Sequence, residues 1–388
     1  MWGNTRGLAA RVGRGPCGLV GYSRRLYCHG TPPFGSRRRP SPETASMQPA
    51  ARDRLFGIDS AFDHPVTLWL TVGVAFALAI APMVILVLAR VRQITPQLRS
   101  ELLRRYYSWL VMVPVLMAPV LLGAFWTILA VGALSLLCYR EYARATGLFR
   151  EKTLSLTVVL GIVVLTLAVL DHWYRLFVAL TPLTVVVLTV VALFADRPKG
   201  YIQRVALAVL GFLLFGTCLS HLGYIANTRN YRPVIFLLVA AVEANDVFAY
   251  VVGKALGHRK LAPNTSPNKT VAGALGAVIL TTVLVVSVGL FLFPSSVRDA
   301  HGVTALQEFR YLAVFGVVLS VAGQLGDLVL SSVKRDLGLK DMGTWIPGHG
   351  GMLDRFDSLL LAAPAAFHFG NYVAGIGLDL PERVFSRG

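Results

Sequence analysis

The stretch from Ser331 to Asp357, SSVKRDLGLKDMGTWIPGHGGMLDRFD, packs four Lys/Arg, four Asp and one His into a glycine-rich segment that ends by entering an apolar helix. Asp354 and Asp357 stand at the mouth of that helix. Further acids lie upstream in otherwise apolar runs: Glu243 and Asp246 in VEANDVFAYVVGK, and Asp327 in GQLGDLVLSSVKRD. Helical spacing groups them, because residues three, four and seven apart share a face. Glu243, Asp246 and Tyr250 share one face, Asp327, Ser331 and Lys334 a second, and Asp354, Asp357 and Ser358 a third. Three helices can thus aim carboxylates at one point. Crowded carboxylates in a low dielectric must protonate, destabilise the bundle or find positive charge. The plain alternative is that they pair with Lys334, Arg335, Lys340 and Arg355. For the whole constellation a divalent cation resolves the clash better, and an oxygen-only donor set of Asp246, Asp327, Asp354 and Asp357 suits Mg2+.

Basic groups beside a metal are what a triphosphate requires, with Lys and Arg holding the phosphates that leave. Lys334, Arg335, Lys340, Arg355 and Lys269 form that set. The glycines of PGHGG, Gly348, Gly350 and Gly351, permit close backbone approach and are expected to leave amide N–H groups free for an anion. A lone His349 is more often a structural hydrogen-bonder than a catalyst. SPNKT, Ser266 to Thr270, reads either as part of the phosphate site or as a polar start to the next helix, with Thr270 as its cap.

The elements that position these residues are membrane spans. The chain has 388 residues, of which 55% are hydrophobic and only 15% charged, against about 25% charged in soluble domains. Apolar runs long enough to cross a ~30 Å hydrocarbon core recur from Val66 onward. The expected fold is an all-α polytopic membrane protein, a bundle of about ten transmembrane helices at 66–89, 107–122, 124–139, 153–170, 174–194, 203–222, 233–253, 271–293, 311–333 and 355–375. Gly123 marks the tip between the second and third. The organisation is a basic N-terminal tail (1–65), a transmembrane domain (66–375) and a short C-terminal tail (376–388). The net charge of +17 lies in the tail and in loops between spans. That is a topology signal, and no nucleic-acid motif accompanies it. Loops 90–106, 140–152, 195–204, 254–270 and 334–355 carry twenty Lys/Arg against nine on the other side, so they are expected to face the cytoplasm. The four cysteines form no metal-type pair or disulfide framework.

Residues 1–46 hold eight Arg and one acid, Glu43, and would lie outside, against that rule. Three readings fit: an organellar transit sequence, a true start at Met47, or a disordered tail. The second fits best, because the chain from Met47 is charge-balanced where an outer segment should be. The first would place the protein in an organellar membrane, the others in the cell inner membrane.

The segment Ser331–Asp357 resembles the signature of phosphatidate cytidylyltransferases, the CDP-diacylglycerol synthases. Ser, a hydrophobic two on, Lys-Arg, four residues, Lys-Asp, Pro-Gly-His-Gly-Gly and Asp-Arg-x-Asp are all present. NDVFAYVVGK and SPNKT resemble family segments in the same order, and the likeness spans roughly residues 100–375. Asn268 and Ala272 depart from the Lys and Glu the family commonly carries there. The resemblance implies transfer of CMP from CTP to phosphatidate with Mg2+, and a homodimer. It implies catalytic roles for Lys334, Arg335, Lys340, Asp341 and His349, and substrate contacts from Ser266, Lys269, Thr270, Ser331, Gly350, Gly351 and Arg355. A CTP-dependent kinase of a polyprenol or phytol would use similar groups but needs a base beside the acceptor alcohol. An ion-coupled transporter would show paired broken spans in two halves, and no such symmetry is visible. An intramembrane aspartyl protease, suggested by Leu325–Asp327, lacks the upstream glycine its motif wants.

Overall fold

A computed structural model describes residues 52, 55–91, 95–228, 230–292, 304–343, 350–374 and 383–386, all within one compact unit, Met47–Gly388. The expectations for residues 1–51 and for Gly348 and His349 lie outside the described residues. Ten long helices are described: α1 Pro65–Arg90, α2 Pro96–Leu122, α3 Ala124–Ala145, α4 Lys152–Leu170, α5 Tyr174–Leu193, α6 Tyr201–Ile225, α7 Tyr231–Leu256, α8 Val271–Leu292, α9 Ala305–Asp336 and α10 Leu353–Ala374. The first nine are long and apolar enough to cross a membrane. The tenth is as long but opens on Asp354, Arg355 and Asp357. In hydrocarbon a helix satisfies every backbone group within itself, which is why these runs adopt no other form. The chain is an all-α, multi-pass integral membrane protein, and the ten expected spans correspond one to one with these helices.

Helices α2 and α9 reach further than their apolar cores. α2 begins eleven residues before the expected span, with exposed Arg99, Glu101, Arg104 and Arg105 on the extension. Between α2 and α3 the chain turns at Gly123, whose φ of +142° suits glycine. A Cβ there would collide with the Leu55 carbonyl. α6 is broken by a π-helical stretch, Phe212–Cys218. The expected loop 254–270 contains a small antiparallel hairpin, β1 Lys260–Ala262 and β2 Ser266–Thr270, with Lys260 opposite Thr270.

Helices α7, α8, α9 and α10 pack together, and the last part of α6, Leu219–Ile225, joins them to α3 and α4, while its first part packs on α5. Small residues allow the closest crossings. A Cβ on Gly273 would lie 2.5 Å from the Ala249 carbonyl, and one on Gly326 would lie 2.6 Å from the Asp357 carbonyl. Gly326 therefore belongs to the packing of α9 against α10, which brings its neighbour Asp327 alongside Asp357.

Two segments assigned to tails by sequence pack onto the bundle. Leu55 is fully buried. Arg232, buried in the first turn of α7, donates to the carbonyls of Val120 (3.2 Å), Leu121 (3.3 Å), Ser60 (3.1 Å) and Gly57 (2.5 Å), and to Ser60 Oγ (3.1 Å). These charge-assisted bonds tie residues 57–60 to the Gly123 corner. At the C-terminal end, the Phe385 and Ser386 amides donate to Asp171 Oδ1 (2.6 and 3.1 Å), the Ser386 hydroxyl donates to Oδ2, and the Arg383 guanidinium sits 4.1 Å over the Trp173 ring. Sequence pattern shows neither contact, because each joins residues far apart in the chain.

Candidate active site

The acids gather where α7, α9 and α10 meet the hairpin. β2 carries Lys269 to Asp327, and the two form an ion pair; Ser331, one turn on, donates to Asp327 Oδ1 at 3.2 Å. Lys334, a further turn along α9, sits 3.1 Å from Asp354 Oδ1 and 3.9 Å from Asp357 Oδ2. Asp246 Oδ2 accepts from Ser358 Oγ at 3.1 Å, so α7 joins the same cluster. The lysines are interleaved with the carboxylates, which offsets the repulsion that crowding would otherwise produce.

The remaining expected residues sort into three groups. Some brace the site. Thr270 Oγ1 accepts the Gly273 amide at 3.1 Å and caps α8, the simpler of the two roles expected for it. Arg335 reaches away from the acids, donating to the carbonyls of Thr265 (3.3 Å) and Leu339 (3.2 Å), and so ties the end of α9 to the hairpin turn. Others are accessible: Lys340 and Asp341 are exposed, and Ser266 is half-buried in β2. Glu243 and Asp246 share an exposed face of α7 with Tyr250, as their spacing indicated. Arg355 is half-buried, and among the described residues its buried Nε has no hydrogen-bond partner.

The glycine loop differs from expectation. Gly350 has φ +83°, a conformation that favours glycine. The amide of Gly351 is not free for an anion: it donates to Asp354 Oδ2 at 2.9 Å, and the Met342 amide donates to the same oxygen at 2.9 Å. An acid within the segment has taken the place expected of the ligand. Asp354 is thereby fixed on both sides, Oδ2 by two amides and Oδ1 by Lys334. The next two amides, of Met352 and Leu353, donate to Glu141 on α3 at 2.9 and 2.8 Å. Sequence reading did not single out Glu141, which sits in CYREYARA as an ordinary charge at the end of a span.

Among the described residues, no three His, Cys, Asp or Glu side chains come together closely enough to hold a metal ion. The donor chemistry nonetheless suits a hard cation. Asp246, Asp327 and Asp357 offer only oxygen, but the ammonium groups of Lys269 and Lys334 now stand beside Asp327 and Asp357 and would have to give way to a cation. Asp354 fits less well than expected, since both of its oxygens already have partners.

Comparison with known proteins matches residues 103–373 to the model of the "Cytidylyltransferase family". The phosphatidate cytidylyltransferase of Bacillus subtilis (strain 168) is 34% identical over 220 residues, 55% of this chain and 78% of that protein. The uncharacterized protein YnbB of Escherichia coli (strain K12) is 32% identical over 205 residues, 51% of this chain and 65% of its own length. The phosphatidate cytidylyltransferase of Brucella suis biovar 1 is 39% identical over 156 residues, 40% of this chain and 52% of that enzyme. The chain thus spans over three quarters of the Bacillus enzyme but just under two thirds of YnbB and about half of the Brucella enzyme.

Proposed function

The chain belongs to the cytidylyltransferase family, and from that premise we propose that it is a phosphatidate cytidylyltransferase, transferring CMP from CTP to phosphatidate to give CDP-diacylglycerol and pyrophosphate. The observation that carries this reading is the interleaving of Lys269 and Lys334 with Asp246, Asp327, Asp354 and Asp357 at the ends of membrane-spanning helices. Such a site can hold a lipid phosphate and a soluble triphosphate together.

In the reaction a phosphatidate oxygen attacks the α-phosphorus of CTP. The new P–O bond forms as the bond to the β-phosphate breaks, and pyrophosphate leaves. Phosphatidate is already an anion at neutral pH, so no general base is required. Lys334 and Lys269 exchange carboxylate partners for phosphate oxygens and so hold the reacting groups. The exposed Lys340 meets the leaving pyrophosphate. Arg355, whose Nε has no hydrogen-bond partner among the described residues, would hold the lipid phosphate. Mg2+ belongs to this reading: one or two of Asp246, Asp327 and Asp357 would hold it together with substrate phosphate oxygens, so three carboxylates need not converge, and it would neutralise charge developing on the transferred phosphoryl group. The site faces the cytoplasm of a cell inner membrane, where CTP is available. The homodimer implied by the resemblance completes the reading, and light scattering in detergent tests it.

Mass spectrometry of the lipids formed by purified protein with CTP, Mg2+ and phosphatidate tests the activity. CDP-diacylglycerol that forms with the wild type and not with Lys334→Ala supports it. A phosphorylated alcohol formed instead, or no CTP-dependent lipid, contradicts it.

A further inference from the structure

Glu141 stands outside the signature segment, 210 positions before Gly351 in the chain, yet it is bonded to that segment's backbone. Oε1 accepts the Met352 amide at 2.9 Å and Oε2 the Leu353 amide at 2.8 Å. Two glycines open the space it fills. A Cβ on Gly351 would lie 2.6 Å from Oε2, and one on Gly343 would lie 2.9 Å from Oε1. Any larger residue at either position would push the carboxylate out.

The mount of Glu141 is rigid. Its neighbours Cys138, Tyr139, Tyr142 and Ala143 are buried in the core. Tyr139 bonds Ser155 Oγ at 3.0 Å, and Tyr142 donates to the Leu207 carbonyl at 3.1 Å. A fixed helix therefore holds a carboxylate against the start of α10. The amides it engages directly follow that of Gly351, which grips Asp354 Oδ2. Asp354 in turn holds Lys334. The contacts run without a gap from Glu141 to residues 351–353, to Asp354 and to Lys334.

The geometry points to Glu141 as the positioning residue of the active site: it sets the place of residues 350–353 and, through them, the Asp354–Lys334 pair. It acts through the backbone of Met352 and Leu353. Both oxygens must accept for this role, because backbone N–H groups only donate. Glutamine keeps the size but turns one acceptor into a donor. The proposal rests on the cytidylyltransferase reading for its kinetic consequence, but not for its structural one.

The test compares Glu141→Gln with Tyr142→Phe, which breaks a hydrogen bond of the same helix away from the loop. Amide exchange over residues 350–353 is followed by mass spectrometry in detergent, alongside kcat and KM for CTP. Glu141→Gln is expected to speed exchange in that segment by about tenfold or more. It is also expected to raise KM for CTP by about threefold or more and to lower kcat, whereas a partly unfolded preparation would lower only the apparent kcat. Tyr142→Phe should lower the melting temperature and leave segment exchange and KM unchanged. Exchange at the wild-type rate in Glu141→Gln overturns the proposal, and so does faster exchange with unaltered kinetics. Failure of the cytidylyltransferase reading is a separate result, seen as a wild type that makes no CTP-dependent product; the exchange comparison needs no turnover and then decides by itself.

Discussion

Lys334 on α9 and Asp354 on α10 meet at 3.1 Å with their side chains only 11% and 3% exposed. The other oxygen of Asp354 holds two loop amides. The pair is therefore both a charge centre and a structural joint, and the acids around it should respond differently to neutralisation. Asp354→Asn keeps one oxygen for the two amides but turns the other acceptor into a donor facing Lys334, leaving a buried ammonium without its carboxylate, so stability and turnover should fall together. Asp327→Asn leaves the loop intact. It should lower turnover by about a hundredfold, as expected when transition-state charge stabilisation is lost, with little change in melting temperature. Thermal unfolding in detergent beside turnover at limiting Mg2+ checks this. Near-normal turnover in Asp327→Asn would leave that acid as a mere partner of Lys269.

The Arg232 cage predicts where the N-terminal region becomes indispensable. A chain starting at Met47 should insert and melt like the full protein. One that starts after Ala61 removes three of the hydrogen bonds that Arg232 makes, those to Gly57 O, Ser60 O and Ser60 Oγ. A buried guanidinium left short of partners is strongly destabilising, so this chain should melt several degrees lower or fail to accumulate. Equal melting of the two chains would show that the cage contributes nothing.

Asp171 gives a pH prediction on the opposite side of the bundle. Burial pushes its carboxyl up, but hydrogen bonds from the Ser386 hydroxyl and the Phe385 and Ser386 amides outweigh it and hold the group below the usual carboxylate range. A lowered folded-state pKa contributes stability that is present above the unfolded value of about 3.9 and is lost as pH falls through the folded value. Wild-type melting temperature should thus fall below about pH 4 more steeply than that of Asp171→Asn. Parallel curves would count against the clasp.

Topology gives a further prediction. Cysteines placed at Lys269 and Lys340 should react with an impermeant thiol reagent only from the cytoplasmic side, as the charge of their loops requires. Labelling of both from outside intact cells would invert the bundle.

Much of this was legible in the sequence. Apolar runs of membrane-crossing length report helices directly, because lipid leaves the backbone no alternative. The shared faces of Glu243 with Asp246 and of Asp327 with Lys334 follow from helical period alone. What stayed hidden are contacts between residues remote in the chain. Glu141 looks like any loop charge until Gly343 and Gly351 are seen around it. Arg232 sits one residue before the expected span, and its partners are carbonyls, which every residue carries. The Gly351 amide seemed available because glycine permits close approach; the sequence pattern does not show that Asp354, three residues on, would fold back to take it. The hairpin of β1 and β2 is too short and too rich in turn residues to produce an alternating pattern.

The central claim is that the interleaved lysines and aspartates transfer a nucleotidyl group to a lipid. Purified protein supplied with phosphatidate and CTP, labelled in separate reactions at the α- or the γ-phosphate, tests this most directly. The account predicts label in the lipid only from α-labelled CTP, with γ-label released as pyrophosphate. Lipid carrying the γ-label would mean phosphoryl transfer and would contradict it.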